Sequence, residues 1–236
     1  MKGLNKKFTD KPEEFLRGYV MGEVGKLSTN YRMKPDVYHF DLVPSKGNEA
    51  VAELHQVDPK AHKGDEELIK AYWLPWFPER TNEIGLGNDA SYFFTSSLAG
   101  CRLQMVPATG PGCKVKVLHI AGDKGGMEKD AEGVVVPGAG QGGTDWRDKE
   151  AEKKLTSEER KRSRAFSATK ETPHGYKKYK DDPEAHFVFV VGFITKLKTE
   201  SEWEFWAQAR QRAITGNPIL KDTWRIWEKD ERSVSF

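Results

Sequence analysis

The chain has two cysteines, six histidines and no long apolar run in 236 residues, and each shortage closes off a class of protein. Two thiols, Cys101 and Cys113, do not make a disulfide framework, and a chain of this length buries enough core to do without one. No apolar stretch approaches the roughly 20 residues that a membrane-spanning helix needs, so no membrane partner is expected. The opening MKGLNKKFTDKPEEF carries lysines with no apolar segment behind them and does not read as a Sec signal. A soluble protein is expected, and any export would need a route that this sequence does not reveal. Neither sign of charge dominates: 38 Lys and Arg against 36 Asp and Glu leave a formal charge of +2. A grip on nucleic acid needs a clear basic excess, so no nucleic-acid partner is expected. GxSxG is absent, which removes the serine-hydrolase elbow. GAGQGG at 138–143 lacks the GK[ST] ending of a phosphate loop and reads as a flexible loop. His39, His55 and His62 have no Cys or carboxylate at a structural-zinc spacing, so they read as solvated or edge-strand residues, and no metal is expected.

What the chain does have is alternation. KPDVYHFDLVP and AVAELHQV each place residues on two faces with a period of two, separated by a Lys46-Gly47-Asn48 turn, and predict a hairpin. HFVFVVGFITKL from Ala185 reads as a central strand. WEFWAQAR after it favours a strand over a helix because Trp203 and Phe205 fall two apart. LKDTWRIW would place Leu220, Asp222, Trp224 and Ile226 on one face. Near the start, Pro12-Glu13-Glu14 predicts a helix carrying Phe15, Leu16, Tyr19 and Val20 and ending at Gly22 or Gly25. Thr156-Ser157-Glu158-Glu159 predicts a capped short helix inside a charged run of mixed sign at 145–166. The sum is an α/β, β-rich chain, expected to form one domain over 1–236 with short helices and large loops outside the sheets, and a monomer.

Two stretches carry candidate chemistry. LIKAYWLPWF is the most aromatic segment, and Trp73 and Trp76 are candidate walls of a cleft, weighed evenly against plain core packing. YFFTSSLAGC then brings Cys101 to the end of an apolar and small-residue run, and KVKVLHIAGD sets His119 in the following strand. A thiol and an imidazole on neighbouring rigid elements are the parts of a nucleophile and its base. Gly100 removes a side chain beside the thiol, and Ala99 with Gly100 permits a turn that aims backbone N–H groups at a developing oxyanion. Thr95 is a candidate third member, a hydroxyl that orients the base. The plainer alternative is that a buried Cys and a strand His are packing residues, and on residue types alone it is the stronger one. Cys113, in a more exposed Pro-Gly-Cys-Lys setting, is a rival thiol.

WLPW at 73–76, FFTSSLAGC at 93–101 and VLHI at 117–120 together resemble the Burkholderia lethal factor family. That family has a WLPW segment, an FFT…Leu-Ser-Gly-Cys nucleophile motif and a downstream strand bearing the catalytic His. The Leu-Ser-Gly-Cys and His pairing is shared with the cytotoxic necrotizing factors, which are glutamine deamidases. The likeness runs from about Tyr72 to Gly122, roughly a fifth of the chain. It implies a β-sandwich of two mixed sheets flanked by helices and long loops, with Cys101 as nucleophile, His119 as base and Thr95 as the hydroxyl-bearing third member. It also implies a toxin-like enzyme that converts a glutamine of a host protein to glutamate in the host cytosol, with no cofactor. The expected target is the DEAD-box helicase of translation initiation, and hence translation is inhibited; a Rho-family GTPase comes second. Three features depart from the family: Ala99 stands where its motif has Ser, the Cys-to-His connection is longer, and a charged insert at 124–182 has no counterpart. Such an insert is expected to rim the active-site mouth and choose the target. Transglutamination is a close chemical variant. A non-catalytic RNA- or protein-binding module using the basic 147–180 stretch is the alternative of a different class.

Overall fold

Apolar alternation decides the architecture, because each long strand has one set of side chains for each of two cores. On β12 (Ala185–Leu197) and β13 (Glu200–Gln211), Val188, Val190, Trp203, Phe205 and Ala207 share one buried cluster, while Phe189, Val191, Phe193 and Trp206 share another. A strand buried on both faces belongs in the middle of a layered fold. The structure, a computed structural model, describes residues 3–23, 33–63, 67–77, 80–98, 100–108, 112–121, 127–129, 135–137, 143–167, 185–197, 200–211 and 219–226.

The larger sheet has eight strands in the order β1-β3-β2-β4-β6-β12-β13-β14. Its members besides β12 and β13 are β1 (Val20–Glu23), β2 (Asp36–Ser45), β3 (Asn48–Val57), β4 (Ile69–Leu74), β6 (Tyr92–Thr95) and β14 (Ile219–Arg225). It is mixed: β1 runs parallel to β3 and β4 parallel to β6, and the other neighbours are antiparallel. The smaller sheet has the order β11-β7-β8-β5, from β11 (Arg164–Ser167), β7 (Arg102–Pro107), β8 (Val115–Ile120) and β5 (Thr81–Leu86). It is antiparallel throughout, so only one of the two sheets is mixed. A two-stranded ribbon of β9 (Met127–Lys129) and β10 (Val135–Pro137) stands apart.

The two sheets face each other over one core. Leu103, Met105, Val115, Val117 and Phe166 of the smaller sheet meet Tyr72, Leu74, Phe93, Val188 and Phe205 of the larger. The outer face of the larger sheet is covered by α1 (Leu4–Asp10) and α2 (Pro12–Gly18), whose Leu4, Phe8, Phe15 and Leu16 pack on Phe40, Leu42, Trp73 and Phe94. The outer face of the smaller sheet presents Val106, Leu118 and Ile120 to Ala151 and Leu155, at and just beyond the end of α3 (Gly143–Lys154). The result is a β-sandwich flanked by helices on both sides.

The β2–β3 hairpin, the strand at Trp203 and the capped helix all form where the residue pattern places them. In α4 (Ser157–Arg162), Thr156 accepts from the Glu159 N–H, and the Glu159 carboxylate accepts from the Thr156 N–H, a complete capping box. The helix expected from Pro12 differs. It stops at Gly18, and Val20 opens β1 instead of continuing the helix. The buried Gln208 explains the break: its side chain donates to the Leu16 and Tyr19 carbonyls and accepts from the Met21 N–H, drawing the chain out of the helix and onto the sheet.

Candidate active site

The site is assembled at one end of the sandwich, where β4, β6 and β8 finish and β5 and β7 begin. Thr95 is the last residue of β6 and points into the sandwich beside Phe93 of the inner core, while Phe94 between them points to the helices. His119 comes from the opposing sheet. It pairs across the ladder with Leu103, and Val117 two residues earlier is an inner-core residue, so its ring also points inward. The two meet: Thr95 Oγ1 and His119 Nδ1 are 3.0 Å apart, joining the sheets by a hydrogen bond.

That contact fixes the tautomer. A threonine hydroxyl has one proton, and Thr95 Oγ1 stands 2.8 Å from the Leu74 carbonyl, which can only accept. The proton therefore goes to Leu74 O, and Thr95 accepts from Nδ1–H of His119. Nε2 is left with its lone pair, and it has no hydrogen-bond partner among the described residues. The ring is 1% exposed, and burial pulls its pKa down to about 3, so the imidazole is neutral at pH 7. The ring is thus an oriented, neutral imidazole with a lone pair on Nε2.

Cys101 lies one residue before β7. It stands one residue before the Arg102–Ile120 pair and belongs to the same inner core as Leu103 and Met105. Diagonal neighbours in a ladder lie about 7–8 Å apart, and the Cys101 thiol makes no hydrogen bond to Nε2 of His119. Its thiol is not in a disulfide and is buried. Gly100 before it adopts φ +94°, a conformation that favours glycine, with nothing within 4 Å of where a Cβ would stand. The backbone here requires glycine for its angle rather than for space. Ala99 lies outside the described residues.

The WLPW segment does more than the sequence suggests. The Leu74 carbonyl holds Thr95, the Pro75 carbonyl accepts from Asn82 Nδ2 at 2.9 Å, and the Trp76 N–H donates to Ser96 Oγ at 3.0 Å. Asn82 is paired directly across from His119 on β5. Trp76 is partly buried against the inner core, on the side of the site. Trp73 is not a cleft wall: it is fully buried on the helix-covered face of the sheet, tilted against Phe40, because alternation along β4 turns it away from Leu74's face. Among the described residues no three His, Cys, Asp or Glu come together as a metal site.

Cys113 sits in a different setting. It is half-buried, its thiol lies 3.5 Å from the Val115 carbonyl, and burial pushes its pKa up. Burial there outweighs the Lys116 charge and the backbone hydrogen bonds that favour a thiolate. Part of the charged insert is regular structure: 143–167 forms α3, α4 and β11, with Phe166 in the inner core and Ala151 and Leu155 under the smaller sheet. Among its described cations, Arg160 pairs with Glu152, Lys161 with Glu158 and Lys154 with Glu83.

No protein-family model matches this chain, and no curated protein matches it.

Proposed function

We propose that the chain is a cysteine-dependent protein-glutamine deamidase, with Cys101 as nucleophile, His119 as general base and acid, and Thr95 orienting the ring. The observation that carries this reading is the Thr95–His119 hydrogen bond, which leaves Nε2 as the basic nitrogen on the face that Cys101 shares. His119 takes the thiol proton, and the imidazolium so formed is stabilised by the thiolate beside it. The sulfur attacks the carboxamide carbon of a glutamine side chain. On collapse of the tetrahedral adduct the C–N bond breaks, His119 gives its proton to the departing ammonia, and a thioester remains. His119 then takes a proton from water, hydroxide adds to the thioester, and glutamate leaves as the thiol is restored. Both Cys101 and His119 are recessed, which favours a carboxamide on a side-chain stem over a backbone amide.

The likeness at WLPW, FFTSSLAGC and VLHI supports the same chemistry and supplies the target class, a host protein, with the DEAD-box helicase of translation initiation first. On this reading the protein is a bacterial toxin or effector acting in a host cytosol. The test is ammonia release in a eukaryotic lysate with no amine added. The wild-type protein releases ammonia and Cys101→Ser does not. Equal release from both proteins rejects Cys101 as the nucleophile, and release only of a cross-linked product with added amine makes the enzyme a transglutaminase.

A further inference from the structure

We propose that Arg147, on the charged helix α3, is a positioning residue for Cys101. It fixes the Gly100–Cys101 peptide and with it the place of the thiol. The inference rests on the deamidase reading above.

Three observations carry it. Arg147 is 6% exposed, and its Nη1 donates to the Gly100 carbonyl at 2.9 Å. The turn it grips is not wedged by packing: Gly100 has φ +94° and open space on its Cβ side, so its conformation depends on what holds its polar groups. The helix offering the arginine is itself secured at several points. Asp148 pairs with Arg102 at 2.6 Å, Glu150 accepts from Thr81 Oγ1 at 3.1 Å, and Ala151 packs under Leu118 and Ile120. Cys101 is thus flanked on both sides by residues tied to consecutive residues of one helix.

The physical consequence follows from the peptide bond. The Gly100–Cys101 unit is planar and trans, so anchoring its carbonyl also sets the direction of the Cys101 N–H, which points away from the guanidinium. A charge-assisted bond to the carbonyl also polarises the unit and strengthens that N–H as a donor. Deamidation needs both effects, a sulfur held within reach of His119 and a backbone donor aimed at the oxyanion, to which a misplacement of about 1 Å is costly. Taking a guanidinium out of water is expensive, and a position chosen only to attach α3 to the sheet could be filled by an apolar residue such as Ala151 or Leu155. Lysine reproduces the charge but not the planar fork, so it should restore the function only in part.

The test uses iodoacetamide on the full chain, reading Cys101 and Cys113 separately by peptide mass spectrometry across pH, alongside thermal unfolding. In the wild type Cys101 is alkylated faster than Cys113. In Arg147→Ala the Cys101 rate falls about tenfold or more, its pH profile moves to higher pH, and Cys113 is unchanged. Arg147→Lys recovers part of the loss. Asp148→Asn, which loosens the neighbouring tie of the same helix, keeps the Cys101 rate. If Arg147→Ala does not fold, the comparison is made on Arg147→Lys against Asp148→Asn. A folded Arg147 variant with wild-type Cys101 rate and pH profile overturns the inference and leaves the deamidase reading standing. A wild-type Cys101 no faster than Cys113 overturns both.

Discussion

The Thr95 hydroxyl and the His119 ring meet 3.0 Å apart from opposite sheets of a sandwich, so the base is oriented by the same contact that joins the two layers. Orientation of the imidazole and stability are coupled there. Thr95→Val keeps the shape but removes the acceptor and strands a buried Nδ1–H, which costs about 1–3 kcal/mol. Thr95→Ser keeps the hydroxyl and should lose much less. Urea unfolding of the two variants measures the difference, and equal stability of Val and Ser would remove the bond from the account.

Acid should destabilise the fold through His119. The unfolded chain takes up a proton near pH 6.5, while the buried ring resists one until about 3. Between those values the unfolded state binds more protons, so stability is full above 6.5 and falls as pH drops through that window. The loss is on the order of a few kcal/mol. In His119→Gln the urea midpoint should show a shallower slope between pH 6.5 and 3 than in the wild type; parallel slopes would mean that His119 is not held neutral by burial.

Two glycines separate backbone strain from crowding. Gly100→Ala meets no atom within 4 Å, so its cost is the φ of +94° alone, about 1–2 kcal/mol, and it should also slow alkylation of Cys101. Gly192→Ala places a Cβ 2.9 Å from the Phe205 ring in the core. That substitution should cost about 1–3 kcal/mol by overpacking while Cys101 reactivity stays. Unfolding free energies and alkylation rates of the pair are the measurement, and a Gly100→Ala protein with undiminished Cys101 reactivity contradicts the role given to the turn.

The capping box of α4 lies at the surface. Thr156→Ala should cost about 1 kcal/mol by chemical denaturation without changing alkylation of Cys101. A loss above that range would mean α4 supports the smaller sheet through more than its cap.

Strands were legible in the sequence because period-two patterning is a local signal. The β2–β3 hairpin, β12, β13 and the Thr156 cap all sit where their residues place them. The end of α2 was not, because it is set by Gln208, nearly 190 residues away. Thr95, Cys101 and His119 could be named from residue types and a motif, yet the meeting of Thr95 with His119 depends on two sheets facing each other, which no local pattern encodes. For Trp73 the aromatic segment left a cleft wall and plain core packing evenly weighed, and strand alternation decides for the core. Arg147 was hidden in a run that reads as solvent-facing charge. Ala151 and Leu155, two of the few apolar residues of that run, are what pack the helix on the smaller sheet.

The central claim is that Cys101 and His119 exchange a glutamine amide for water. It is tested most directly by incubating the wild-type protein and Cys101→Ser with eukaryotic lysate in water enriched in oxygen-18, then reading glutamine-containing peptides by mass spectrometry. The account predicts a defined glutamine gaining about 3 Da with the wild type, one mass unit from amide to acid and two from the incorporated oxygen, and no change with Cys101→Ser. Identical peptide masses with both proteins, or a labelled glutamate that persists in Cys101→Ser, would contradict it.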